Sequence, residues 1–119
     1  MKRTLVIGAS EKPERYSYKA IKALRQHGHE VVALAAKPGK VADVDFKTEA
    51  VDLPAIDTVT LYVGPQNQDG YMEYVEKLQP KRVIFNPGTE NEAFVERLEK
   101  AGIQSEIACT LVLLSIGQY

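Results

Sequence analysis

Four short segments carry the residue types from which phosphate-binding turns are built: Gly8-Ala9-Ser10, Ala36-Lys37-Pro38, Val63-Gly64-Pro65 and Asn86-Pro87-Gly88. Glycine lets backbone approach a ligand closely, and three of the four segments contain it. Any one of them alone reads simply as a turn, so their joint occurrence is what points to a ligand. The other reactive groups are sparse. Cys109 is the single cysteine, so neither an intrachain disulfide nor a cysteine-based zinc site can form. Its thiol can act in a mixed disulfide or as a redox sensor if exposed and ionised. A small buried core residue is the simpler account, because free cysteine is among the most buried residue types. His27 and His29 flank Gly28 at a helix end that faces the opposite edge of the expected sheet. A Cys–His pair needs its atoms ~3 Å apart, so a favourable interaction with the helix dipole explains the histidines better. Gly8-Ala9-Ser10 lacks the G-x-S-x-G pattern of a nucleophile elbow. Glu90 and Glu92, and Glu96 and Glu99, fall on helix turns and read as caps and solvated faces. No metal-ligand spacing and no catalytic constellation emerges.

The elements that must position these segments follow from the hydrophobic pattern. Strand-length apolar runs alternate with helix-period stretches, the signature of a parallel sheet with helices on both faces. Leu5-Val6-Ile7 is continuous rather than alternating, as a strand buried on both sides requires. A helix over Ser17 to His27 follows, with Ala20, Ile21, Ala23 and Leu24 inward, Ser17 as N-cap and Gly28 beyond its end. Val31 to Ala35 is the second strand, and Val44-Asp45-Phe46 a short edge strand. Lys37 to Asp57 shows no helical period, which predicts an irregular crossover. Thr58 to Val63 is β-branched and aromatic and reads as a strand. Gly64-Pro65 opens a helix whose inward face is Tyr71, Val75 and Leu78, stopped by Pro80. Val83-Ile84-Phe85 is a strand, and Thr89 to Glu92 a capping box ahead of a helix burying Phe94, Leu98 and Ala101 up to Gly102. A last strand near Ser105 to Ala108 leads into the apolar tail Thr110 to Tyr119. The expected fold class is a three-layer, Rossmann-like α/β domain over residues 1–119, with a five- or six-stranded, mostly parallel sheet.

In such a sheet, ligands lie outside the carboxyl ends of the strands, where the strand order reverses. The four segments converge there, and the following helices aim amide groups and positive dipole ends at the same crevice. That describes a site for a phosphorylated ligand. The dinucleotide pattern G-x-G-x-x-G is not met, since Ser10 and Pro13 stand where glycines belong. At the end of the second strand NAD proteins carry Asp or Glu for the ribose hydroxyls. Ala35-Ala36-Lys37 here favours a phosphate on the ribose instead, as in NADP or coenzyme A. A solvated surface lysine is the competing account of Lys37. Tyr16 and Tyr18 stand close enough to the first loop to contact a nucleotide.

Composition narrows the classes further. Hydrophobic residues make up 45% and charged residues 26%, an ordinary globular balance that argues against disorder. A chain of 119 residues buries roughly two-thirds of its unfolded surface, enough for a core without staples. Fifteen Lys and Arg against sixteen Asp and Glu give a formal charge of −1, which speaks against non-specific nucleic-acid binding. The apolar run after Met1-Lys2-Arg3 stops at Gly8, too short for a signal peptide, and no segment approaches the ~20 apolar residues of a membrane span. The expectation is a cytoplasmic protein that binds a small molecule, with neither nucleic acid nor membrane as partner. The run Leu111 to Ile116 is too apolar to leave in water and predicts burial of the tail, against the domain or in a homodimer.

The chain resembles the small CoA-binding-protein family of Rossmann-type domains, similar to the CoA-binding domain of succinyl-CoA ligase alpha subunits and NDP-forming acyl-CoA synthetases. The residues carrying the resemblance are Val6-Ile7-Gly8-Ala9-Ser10 with Ser17-Tyr18, Val31-Val32 through Lys37, Leu61-Tyr62-Val63 ahead of Pro65, and Asn86-Pro87-Gly88-Thr89-Glu90 before a helix ending at Ala101-Gly102. It implies that Gly8, Ala9, Ser10, Glu11, Lys12 and Ser17 lie by the diphosphate of coenzyme A or an acyl-CoA, with Lys37 near the 3′-phosphoribose. It also implies that Val63, Gly64 and Pro65 border the adenine, with Asn86, Pro87 and Gly88 further along the ligand. Thr110-Leu111-Val112-Leu113 departs from relatives that carry further glycines and a glutamate after the last strand. The ligase relatives use a phosphorylated histidine in another domain, which this chain lacks, so the resemblance implies a carrier, sensor or regulatory module rather than an enzyme. An NADP-type redox sensor or oxidoreductase fragment, and an interaction module that has lost its ligand, are the alternatives.

Overall fold

The computed structural model describes residues 1–119 as a seven-stranded sheet between two helical layers. The elements run β1 (Thr4–Ile7), α1 (Tyr16–Gln26), β2 (Val31–Leu34), β3 (Lys40–Val41), β4 (Val44–Lys47), β5 (Thr58–Leu61), a 3-10 turn (Pro65–Asn67), α2 (Asp69–Leu78), β6 (Arg82–Phe85), α3 (Glu92–Lys100), β7 (Gln104–Ile107) and α4 (Thr110–Ser115). Across the sheet the order is β3-β4-β2-β1-β5-β6-β7, with every pairing parallel except β3 with β4. This is the expected Rossmann-like α/β architecture. The expectation of five or six strands missed β3, a two-residue arm that forms a hairpin with β4 and takes the edge position that β4 was expected to hold. No helix is long and apolar enough to cross a membrane.

Strand alternation sorts the core into two layers. Leu5 and Ile7 of β1, Val59 and Leu61 of β5 and Val83 and Phe85 of β6 pack with Met72 and Val75 of α2 and Phe94 and Leu98 of α3. Val6 and Ala33 point the other way, to Ile21 and Leu24 of α1 and Leu114 of α4. Phe85 and Phe94 meet edge to face at 5.5 Å between ring centroids. The face toward α4 also carries buried polar groups, among them Thr4, Thr58, Thr60, Arg82 and Thr110.

Several local expectations shift. Ser17 is not the N-cap of α1 but a buried residue inside it; Arg15 holds the cap position. The α2 face is centred on Met72 and Val75, with Tyr71 and Leu78 flanking it, because the helix begins only after a separate 3-10 turn. The capping box does not form. Asn91 is the N-cap of α3, accepting from the Phe94 amide at 3.3 Å. Thr89 instead donates its hydroxyl proton to the Asn86 carbonyl at 2.8 Å. The tail meets its own chain only in part: Leu114 is buried and the Tyr119 hydroxyl lies 2.6 Å from Thr4 Oγ1. Val112 and Ile116 of the expected buried run are exposed, because so short a helix offers only one face to the sheet.

Candidate functional site

The strand order reverses at β1, with β2 on one side and β5 on the other. Their registers end with Ile7 opposite both Leu34 and Leu61, so the chain leaves all three strands at one level. Gly8 turns there with φ +96°, and a Cβ on it would lie 2.9 Å from the Tyr62 carbonyl carbon and oxygen. Both the backbone conformation and the close approach therefore require glycine. Gly88, after β6, also has positive φ, at +92°, but in open space. Its requirement is conformational alone.

A cleft of about 390 Å³ opens above the β1–β5 junction. Its walls include Gly8, Ser10, Lys12 and Ser17 on one side and Gly64, Pro87 and Gly88 on the other. Arg15, Tyr16, Tyr62 and Thr89 complete the lining. A second cleft of about 310 Å³ lies beside it, beyond the end of β2, where Ala9, Ser10, Glu11 and Lys12 face Ala36, Lys37, Pro38 and Phe46. Ser10 and Lys12 line both, so the two clefts share a wall.

The charge pattern of the larger cleft is one-sided, whereas the smaller one carries Glu11 beside Lys12 and Lys37. No carboxylate lines the larger cleft. Lys12, Arg15 and Lys37 enter none of the ion pairs of the fold. Arg15 makes no side-chain cap on α1, and the amides of Tyr16, Ser17 and Tyr18 have no acceptor. The α1 N-terminus therefore adds its dipole and three free donors to two cationic side chains. Donors from the first loop are fewer than its glycine suggests. The amides of Gly8 and Ala9 both donate to the Leu34 carbonyl, at 2.9 and 3.1 Å, and the Lys12 amide to Ser10 Oγ at 3.1 Å. The Gly88 amide likewise donates to Glu90 Oε1 at 2.8 Å. An anion here is served chiefly by the helix end, the hydroxyls of Ser10 and Ser17, and the two cations, the Thr89 hydroxyl proton being held by the Asn86 carbonyl.

Not all of the sequence-derived residues face the ligand space. Asn86 is buried, donating through Nδ2 to Thr60 Oγ1 at 2.6 Å and the Leu61 carbonyl at 2.9 Å, and accepting from the Thr110 amide at 2.9 Å. Its side chain joins β5, β6 and α4 and has nothing left for a ligand. Val63 packs against the α2–α3 core, and Pro65 opens the 3-10 turn. Glu11 reaches sideways, accepting from the Lys40 amide at 2.9 Å, and so ties the first loop to the β3–β4 hairpin. Arg15 was missed because nothing in sequence distinguishes it from a solvated arginine; only the late start of α1 brings it over the cleft.

Cys109 is half-buried at the N-cap of α4 and lines neither cleft. Tyr62 does line the larger one; its buried hydroxyl lacks a hydrogen-bond partner, and burial pushes its phenol up. His29 lies at the other end of the sheet, where its Nδ1 accepts from the Lys2 amide at 2.9 Å. No three His, Cys, Asp or Glu side chains group to hold a metal ion.

The chain matches the family model for a CoA binding domain over residues 2–115. It is similar to the crystal structure of an uncharacterised protein at 47% identity, covering 100% of this chain and 98% of that one, with a TM-score of 0.98. A hypothetical protein from Pyrococcus horikoshii OT3 is similar at 30% identity over 93% of this chain and 80% of its own, with a TM-score of 0.84. A dinucleotide-forming acetyl-coenzyme A synthetase from Ca. Korarchaeum cryptofilum, in complex with phosphate and ADP, shares the fold at 18% identity and a TM-score of 0.70. That match covers 86% of this chain but 25% of the synthetase. No curated protein matches the chain.

Proposed function

The chain belongs to the CoA-binding-domain family, and from that premise we propose that it binds coenzyme A or an acyl-CoA as a stand-alone, non-catalytic carrier, sensor or regulatory module. The observation that carries this reading is the cleft at the β1–β5 junction, with Lys12 and Arg15 uncompensated and the free amides of α1 beside them. A diphosphate placed there meets both cations and the positive end of α1. The adjoining cleft beyond β2 then takes the adenosine end, with Lys37 offered to the ribose 3′-phosphate. This replaces the adenine contact with Val63, Gly64 and Pro65 that the resemblance implied, since Gly64 lines the diphosphate cleft instead. A non-catalytic role is supported by the separation of reactive groups. Cys109 stands at the carboxyl edge of the sheet, while both histidines lie at the other, His27 bonded to the Ala23 carbonyl and His29 to Lys2.

A thermal-shift screen of coenzyme A, acyl-CoAs, NADP and ATP tests the reading. Ligand at about 100 times its dissociation constant adds about 2.7 kcal/mol of stability. Coenzyme A or an acyl-CoA giving the largest shift supports it; NADP giving the largest favours the redox reading, for which Lys37 would serve the 2′-phosphate. The missing second glycine of the first loop weighs against NADP. Acyl-CoA turnover that disappears in Ser10→Ala or Cys109→Ala would overturn the non-catalytic part.

A further inference from the structure

Gln68 is wholly buried, yet it lines neither cleft. A primary amide is costly to bury unless its donors and acceptor are all used. Here they are. Nε2 donates to the Val63 carbonyl at 3.0 Å and to the Thr89 carbonyl at 2.7 Å, and Oε1 accepts from Asn91 Nδ2 at 3.0 Å. Two carbonyl oxygens can be met only by an NH2 group, which settles the orientation of the amide.

The partners lie on two neighbouring loops that together line the side of the larger cleft facing the first loop. Val63 precedes Gly64, and Thr89 follows Gly88. The β5–β6 ladder ends with Leu61 opposite Phe85, and beyond it no backbone hydrogen bond joins residues 62–68 to residues 86–91. The Gln68 side chain makes that connection instead. Through Asn91, the N-cap of α3, it also ties the second loop to the start of that helix. We infer that Gln68 is a positioning residue that fixes the Gly64 and Gly88 loops relative to each other along one side of the larger cleft, and thereby the affinity for a ligand long enough to touch both. The ligand part of this inference rests on the coenzyme A reading; the clamp itself does not.

Gln68→Met tests it, keeping similar length while removing both donors. Coenzyme A and adenosine 3′,5′-bisphosphate, which lacks the pantetheine arm, are titrated against wild type and variant. Amide exchange is measured on both proteins without ligand. Losing all three hydrogen bonds of the Gln68 amide should weaken coenzyme A about tenfold while the bisphosphate changes less than about twofold. In the ligand-free protein the Asn67 and Thr89 amides, which close the two loops, should exchange about tenfold faster, with the Val6 amide in β1 unchanged. Equal weakening of both ligands, unchanged coenzyme A affinity in a binding-competent protein, or unchanged loop exchange would overturn the inference. If wild type binds neither ligand, the proposed function fails and the exchange comparison alone decides the clamp. Should Gln68→Met not fold, Gln68→Asn, one methylene too short to span both carbonyls, takes its place with the same expected directions.

Discussion

Lys37 stands exposed just beyond β2, without a carboxylate partner, on the wall of the smaller cleft. A hydrogen bond to a charged group contributes roughly 1.5–3 kcal/mol. Lys37→Ala should therefore weaken coenzyme A by about one to two orders of magnitude. Dephospho-CoA, lacking the 3′-phosphate, should bind wild type more weakly and respond little to the substitution. Titrating two ligands against two proteins isolates the coupling, and a value near zero would remove Lys37 from the site. Asn86 has a different task. Its three hydrogen bonds join three elements under the cleft floor, so Asn86→Ala strands buried backbone groups and should cost about 2–4 kcal/mol in urea denaturation.

Helix ends govern the element scale. The Asn91 side chain accepts from the Phe94 amide and is the only side-chain cap among the four α-helices. Asn91→Ala should lower stability by about 1 kcal/mol by exposing that donor, with a further loss through the Gln68 contact. At α1 the missing cap has the opposite meaning: donors without an acceptor at the mouth of a cleft are available to an anion. The α4 tail acts as a strap over the polar face of the sheet. Leu114 is buried, the Tyr119 hydroxyl contacts Thr4, and the Arg82 guanidinium stacks over the Tyr119 ring at 4.7 Å. Deleting residues 110–119 should lower the melting temperature by several degrees, since it uncovers Val6, Ile21 and Leu24. Unchanged melting and unchanged mass in solution would show the tail to be dispensable.

Across the whole molecule, stability should depend on pH through His29. Burial above all, then nearby positive groups including His27 and Lys2, holds its imidazole below the usual value of 6.5. The unfolded chain then binds more protons than the folded one between those two values, so stability rises with pH there. The full contribution is present above pH ~6.5 and is lost as pH falls through the folded value. Denaturation midpoints measured from pH 7.5 to 5 should fall, and His29→Gln should flatten that fall. The cause is local: Nδ1 accepts from the Lys2 amide, and the ring packs edge-on against Tyr119 at 4.9 Å. Protonation would remove that acceptor and place a cation beside Lys2.

How much was legible from sequence differs between frame and site. Continuous apolar runs such as Leu5-Val6-Ile7 and Val83-Ile84-Phe85 betray strands buried on both faces, because no other arrangement hides every side chain of a short extended segment. Gly8 and the segments after β5 and β6 were legible as turns at the carboxyl edge of the sheet for the same reason: their place follows from the strand order. β3 was not, since two residues carry no period and the hairpin is held by partners that only folding supplies. The cap of α3 moved from Thr89 to Asn91, because the Thr89 hydroxyl found the Asn86 carbonyl once β6 was in the sheet. Arg15 and Gln68 remained silent as residue types. A cation gains meaning only from the carboxylates that fail to surround it, and a buried amide only from the two carbonyls it joins; both are properties of segments distant in sequence, brought together by the sheet.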